Sequence, residues 1–319
     1  PMKRRDIERT AGRPRFRVSG VLIAIIAVVG VFSFTAKGFF SLANFANIAL
    51  QGSVLFIAAL GMTLAILSGM IDLSIGGVMT LAGVITALAL KAGLPPILAI
   101  LAGLAAGSLC GAFTGYLVSS WGFHHWIATF GMMGISQGIA LVVTQGSSVS
   151  GFSRAFRNIG DSTIIGIPVP VLIAAATFAI IAFVLYRTRF GSNMYAIGGS
   201  EQVARYSGIN SSKMKLSVFV LTGLLAAVAG IVLTSRMNSA NPTAGMGYEF
   251  DSIAAVIIGG TPITGGRGGV KGTFLGAFII SILKNGLNLV GLSSPWQLTI
   301  IGAMITGAII VDVITHSKR

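Results

Sequence analysis

Apolar residues in this chain come in long blocks, not in the alternating or one-face patterns of a soluble domain. The blocks run for about 17–24 residues, the length a helix needs to cross about 30 Å of hydrocarbon. About ten can be drawn, at roughly 18–36, 50–69, 74–91, 96–119, 125–144, 169–187, 215–235, 251–262, 272–291 and 297–313. The eighth is too short to cross as a regular helix, so eight or nine full crossings with re-entrant pieces fit the same pattern. The run from Val21 to Phe34 follows a basic tail. Phe34-Thr35-Ala36-Lys37 is a poor small-residue cleavage site and further apolar blocks follow, so this run reads as an uncleaved first span. The pattern predicts an all-α polytopic membrane protein of about ten transmembrane helices. A basic cytoplasmic tail covers 1–17, and a single membrane domain covers 18–319.

Composition agrees with the pattern. Charged residues are 9% of the 319, against roughly 25% in soluble domains, and mean hydropathy is +0.89. The 43 glycines suit membrane helices, where small residues let backbones approach. The net charge of +14 sits almost wholly in tails and connections, and no aromatic-plus-basic cluster accompanies it, so nucleic acid is not an expected partner. If the N-terminal tail is inside, the predicted inner segments carry seven basic tail residues with Arg187, Arg189, Arg205, Lys213, Lys215, Arg267, Lys271, Lys318 and Arg319. The outer ones carry only Lys37, Lys91, Arg154, Arg157 and Arg236. That bias predicts both termini in the cytoplasm, with Lys284 left inside a span. The single Cys110 excludes an internal disulfide framework and a cysteine-based zinc site.

Motifs for chemistry are absent. Gly265-Gly266-Arg267-Gly268-Gly269-Val270-Lys271-Gly272-Thr273 lacks the spacing of a phosphate loop, and there is no H-E-x-x-H, paired-carboxylate or G-x-S-x-G pattern. His124 and His125 are adjacent, diverge by about 100° on a helix, and are expected at the membrane interface beside Trp121 and Trp126 rather than on a metal. No metal site and no cofactor are expected in this chain.

Two glycine-flanked interruptions stand out, Leu67 to Gly77 around Asp72 and Ile258 to Gly269 around Pro262. Non-helical backbone at membrane depth survives only where protein buries it or where it lines a water-filled cavity. Asp72, with Ser74 beside it, caps the following helix, supports a broken helix along a solute path, or couples an ion; the sequence leaves these open. Asn44, Asn47 and Gln51 share one helix face. Ser281, Asn285 and Asn288 share another, with Lys284 beside them, and Gln137 and Thr144 share a third. Such stripes either hydrogen-bond between helices or line a path for a neutral polyhydroxylated solute. In the basic stretch 187–214, Ser200 caps a short predicted helix from Glu201 that carries Ala204 and Arg205 and stops at Gly208. It either docks into a partner or lies on the lipid surface.

Five stretches taken in order resemble one family over essentially the whole chain. They are GMTLAILSGMIDLSIGGVMTLAG at 61–83, FHHWIATFGMMGISQGIALVVTQG at 123–146, the stretch 188–230, the stretch 239–279, and NGLNLVGLSSPWQ at 285–297. The chain is similar to the ribose-type permease subunits of bacterial ABC importers for monosaccharides. The resemblance implies a pore built from two permease copies, usually a homodimer in the inner membrane. It implies a cytoplasmic ABC ATPase that binds ATP and Mg, with Ser200, Glu201, Ala204, Arg205 and Gly208 in the helix seated on it. It also implies a periplasmic sugar-binding protein meeting the outer loops, where Arg154, Arg157, Arg236, Glu249 and Asp251 could pair with it. Path candidates are Asp72, Ser74, Asn44, Asn47, Gln51, Gln137, Asn285 and Asn288, and membrane lipid is the other partner. A secondary carrier for the same class of solute is the alternative. It would need a titratable pair within the membrane, and Asp72 has no obvious partner in the sequence.

Overall fold

The computed structural model describes residues 18–316, so the basic tail at 1–17 lies outside the described residues. The helices are α1 Val18–Thr35, α2 Leu42–Leu67, α3 Ile75–Lys91, α4 Pro96–Ser120, α5 His125–Thr144, α6 Arg154–Asp161, α7 Val169–Arg187, α8 Arg189–Gly199, α9 Glu201–Tyr206, α10 Ser211–Met237, α11 Tyr248–Ile258, α12 Val270–Leu289 and α13 Ser294–His316. Among the described residues six of them, α2, α4, α5, α7, α10 and α12, are long and apolar enough to cross a membrane. The protein is an all-α, multi-pass membrane protein.

Each boundary has a local cause. The Ser41 hydroxyl accepts the Asn44 N–H at 3.2 Å and starts α2. Pro95 and Pro96 open α4, where the missing N–H is no loss. Asn210 caps α10 by accepting the Lys213 N–H at 2.9 Å, and Asn238 ends it in a left-handed turn.

The centre is α2, whose residues from Ser53 to Leu67 are all buried, packed against α10, α11 and α12. Outside this centre, α4, α5 and α7 turn apolar residues such as Leu101, Leu109, Phe130, Ile180 and Phe183 outward, as a hydrocarbon environment requires. The most extensive helix–helix contact is α4 with α10. Ala99, Gly103, Gly107, Gly111, Gly115 and Val118 form the buried stripe of α4. A Cβ on Gly223 would lie 3.0 Å from the Gly111 nitrogen, so the contact is backbone against backbone.

The long polar connection 145–168 is folded. It contains α6 and a tight hairpin of β2 (Thr163–Ile164) with β3 (Ile167–Pro168). Its strand β1 (Val149–Ser150) pairs antiparallel with β4 (Ser239–Ala240), which follows α10. The Ser235 hydroxyl donates to the Phe156 carbonyl at 2.7 Å, fixing α6 to the end of α10. The basic stretch 187–214 is likewise two helices joined at Ser200, with Gly191, Met194 and Ile197 turned into the protein. Hydropathy marked neither α6 nor α8, because their apolar faces are short, whereas the Ser200 cap had marked α9.

Candidate functional site

The chain is non-helical from Ser68 to Ser74, and Asp72 is buried at 2% exposure. One carboxylate oxygen accepts the Ser74 N–H at 2.9 Å and the Ser74 hydroxyl at 2.5 Å. The other accepts the Thr222 hydroxyl at 2.6 Å. Asp72 thus shapes the turn into α3, where Ser74 stands at the N-cap without a side-chain capping bond, and ties the interruption to the middle of α10. The carboxylate faces protein on both sides, which fits the capping alternative. His125 is half-buried and turns toward the interruption. Its Nδ1 accepts the Ile71 N–H at 3.2 Å, while Trp121 and Trp126 are exposed.

The second interruption, from Gly259 to Gly269, meets the first through glycines. The Gly266 N–H donates to the Leu67 carbonyl at 3.0 Å. A Cβ on Gly265 would sit 2.7 Å from the Gly69 nitrogen, and one on Gly198 would overlap the Leu67 carbonyl. The end of α2, the end of α8 and the 259–269 segment therefore touch main chain to main chain. Tyr195 of α8 adds a hydrogen bond to the Gly268 carbonyl at 2.8 Å. This joint lies directly before Ser200.

Ser200 accepts the Val203 N–H at 3.3 Å to start α9, and Gly208 ends it with a positive φ of 82°. Ala204 is buried beneath the helix, whereas Val203 and Tyr206 are exposed. The Glu201 carboxylate is held by Arg205 and by Lys215 of α10, each at 2.8 Å. Burial works against its charge, but the two cations outweigh burial and hold its carboxyl below the usual range.

The polar stripes divide. The Asn285 side-chain amide donates to the Asn44 side-chain oxygen at 2.9 Å, and the Asn44 amide donates to the Phe39 carbonyl at 2.9 Å; both asparagines are buried. This pair joins α2 to α12. Gln137 is partly buried and donates to the Pro242 carbonyl, tying α5 to the segment before α11. Asn47, Gln51 and Asn288 are exposed, and Asn288 accepts from Gln297 at 2.6 Å.

Two residues expected at the outer surface do not lie there. Glu249 and Asp251 are buried, at 5% and 4% exposure, because α11 turns its first turn inward against α3 and α12. They do not offer a surface for a docking protein. Arg154 is exposed, and Arg157 and Arg236 are partly so. Asp251 forms an ion pair with Lys284 of α12, whose ammonium lies 5.9 Å from the Tyr248 ring centroid. Gln51, Leu55, Arg236, Tyr248, Asp251, Ser281 and Lys284 line one cavity of about 60 Å³. This ion pair was not anticipated. Its signal in the sequence is Lys284 itself, since a cation within an apolar helix requires a partner. Among the described residues no three His, Cys, Asp or Glu side chains group to hold a metal.

Residues 44–309 match the family described as branched-chain amino acid transport system / permease component. The chain is 42% identical over 295 residues to the ribose import permease protein RbsC of Escherichia coli (strain K12), covering 91% of this chain and 92% of that protein. It is 39% identical to RbsC of Bacillus subtilis (strain 168), over 92% of each. It is also 39% identical to the D-allose transport system permease protein AlsC of Escherichia coli (strain K12), over 92% of this chain and 89% of that one. No solved structure matches the chain significantly. Matched by the family over residues 44–309 and by these relatives along nine-tenths of its length, the chain belongs to this family of transport-system permease components, as a transport subunit and not an enzyme.

Proposed function

We propose that this chain is the membrane-spanning subunit of an ATP-driven importer for a monosaccharide, ribose or a related pentose or hexose. The observation that carries the reading is the 42% identity with a ribose import permease along 91% of the chain. The family's description names branched-chain amino acids, but the relatives similar over full length are named for ribose and allose. The exposed side chains on the spans favour the sugar. Asn47, Gln51 and Asn288 offer uncharged donors and acceptors, which suit a neutral polyol that must leave as readily as it enters.

These groups sit on exposed faces of α2 and α12, where hydrocarbon would leave them unsatisfied. A second copy of the chain covers those faces and encloses the path between the two copies. The notch of about 60 Å³ beside Gln51 and Lys284 is far below the roughly 300 Å³ at which ligand sites begin, so it does not enclose a sugar by itself. About ten apolar helical segments then cross or enter the inner membrane, with both termini cytoplasmic and lipid around α4, α5 and α7. The α9 helix, with Val203 and Tyr206 presented outward, seats on a cytoplasmic ABC ATPase that binds ATP and Mg. Arg154, Arg157 and Arg236 lie at the end that meets a periplasmic sugar-binding protein.

The Asp251–Lys284 pair is the feature a proton-coupled carrier would need, so it favours a stand-alone carrier as the second reading. A tagged pull-down from gently solubilised membranes separates the two. A stoichiometric P-loop ATPase in the preparation is the expected result. A clean preparation without one, repeated under cross-linking, would turn the assignment to the carrier.

A further inference from the structure

The charges of α11 and α12 pose a problem that the importer reading leaves open. A neutral sugar gives no reason for an ammonium on a spanning helix paired with a buried carboxylate, and both charges are costly away from water. If the pair only held the two helices together, both groups would be closed off from space. Instead the Lys284 side chain is 34% exposed, while that of Asp251 is 6% exposed. Both border the cavity of about 60 Å³, beside the Gln51 amide and the Tyr248 ring.

The unused hydrogen-bonding capacity points into the same space. An ammonium has three N–H donors, and among the described residues Lys284 spends one, on Asp251 Oδ2. Lys284 is the one side chain hydrogen-bonded to the Asp251 carboxylate among them, and the Tyr248 hydroxyl has no such partner. Ser281 donates to the Ala277 carbonyl at 2.7 Å and keeps its lone pairs free. A carboxylate oxygen and an ammonium side by side present an acceptor next to a donor. Arg236 also borders the notch, so a lone cation would meet two cations there, and a lone anion would leave the Asp251 carboxylate unmatched. A vicinal diol satisfies both halves, because each of its neighbouring hydroxyls donates and accepts.

We propose that the notch between α2, α10, α11 and α12 is a station for the vicinal diol of a passing polyhydroxylated solute, with Asp251 as acceptor and Lys284 as donor. This rests on the importer reading and names how that path recognises its solute. Size fits a diol edge and not a ring. A water-sized group needs about 10–15 Å³ of such space, so about 60 Å³ takes two hydroxyls with their carbons. The rest of the solute stays in the path bordered by the exposed Asn47 and Asn288. When the solute leaves, the two charges satisfy each other again, so the station releases without stranding an ion.

The test replaces both charges together, Asp251→Leu with Lys284→Met, because removing one alone would leave an unpaired ion. In the importer assembled with its ATPase and binding protein in proteoliposomes, ribose uptake should fall at least ten-fold in kcat. The exchanged pair, Asp251→Lys with Lys284→Asp, should recover to within about three-fold of wild type. Uptake by the apolar double variant equal to wild type overturns the station. A wild-type importer that takes up no monosaccharide at all would instead overturn the function proposed above. Should both variants fail to fold, the wild-type chain still decides. Saturation-transfer NMR on the purified permease should give several-fold stronger transfer to methyl ribofuranoside, which carries a vicinal diol, than to methyl 2-deoxyribofuranoside, which carries none, at equal concentration, and equal transfer, or none to the first, overturns the proposal.

Discussion

Replacing Asp72 by Asn and by Leu separates capping from charge. The buried carboxylate takes three donors: the Ser74 N–H at 2.9 Å, the Ser74 hydroxyl at 2.5 Å and the Thr222 hydroxyl at 2.6 Å. In Asp72→Asn the side-chain oxygen keeps both Ser74 donors. The new amide faces Thr222 Oγ and donates to it. The Thr222 hydrogen then turns to the Phe219 carbonyl, which already lies 2.9 Å away. All three partners stay satisfied, and the expected cost is about 1 kcal/mol or less. Asp72→Leu strands the Ser74 N–H, at about 1–3 kcal/mol, and forces a branched apolar side chain into a polar slot, at about 1–3 kcal/mol more. The gap between the variants should therefore be a few kcal/mol. Thermal midpoints of monodisperse protein in detergent, read by fluorescence-detected gel filtration, measure it alongside uptake. If Asn falls as far as Leu in both, the negative charge itself is required and the capping account is wrong.

Other outcomes follow from the same contacts. Gly198→Ala drives a methyl group into the Leu67 carbonyl, whereas a methyl on Gly199 meets open space; the first should cost about 1–3 kcal/mol and most of the transport, the second almost nothing, and equal behaviour in uptake would discount the joint. Glu201→Gln with Arg205→Ala should leave the chain in the membrane yet separate ATP hydrolysis from uptake, and full uptake would remove α9 from coupling. Because the Glu201 carboxyl is held below its usual range, its contribution is complete above the ordinary Glu range and fades as pH falls below it. With its side chain 35% exposed this is worth no more than about 1 kcal/mol, and a spin label at Tyr206→Cys should gain mobility on acidification, an effect missing in Glu201→Gln. Asn44→Leu alone strands the buried Asn285 amide at about 1–3 kcal/mol, while the Asn44→Leu, Asn285→Leu double variant recovers much of that in the same thermal assay.

Much of this was legible in the sequence where a single residue type decides the outcome. Ser200 and Gly208 bounded α9, and Asp72 with Ser74 marked the start of α3, since caps are local chemistry. The apolar blocks marked the spanning helices for the same reason. Pairings across the chain were not legible. Asn44 and Asn285 are 241 positions apart, and nothing in either stripe says that they bond to each other while Asn47 and Gln51 stay exposed. Glu249 and Asp251 looked like outer acids because the apolar block can be drawn only from 251, yet α11 starts three residues earlier and carries both inside. The glycines at 198, 265 and 266 were visible as turn formers, but their mutual contact depends on packing that no local pattern encodes.

That contact sets a schedule for biogenesis. Leu67 offers its carbonyl to Gly266, and Asn44 waits for Asn285, so the first spans are made long before the residues that complete them. At about 5–20 residues per second, Gly266 follows Leu67 by roughly 10–40 s. Throughout that interval the end of α2 holds an unmatched polar backbone group in the membrane. Water, lipid headgroups or the insertion machinery must serve it until the last third of the chain arrives. A chain stopped before residue 259 would keep its early helices but never close the joint, which gives membrane quality control a structural mark by which to tell a finished permease from an unfinished one.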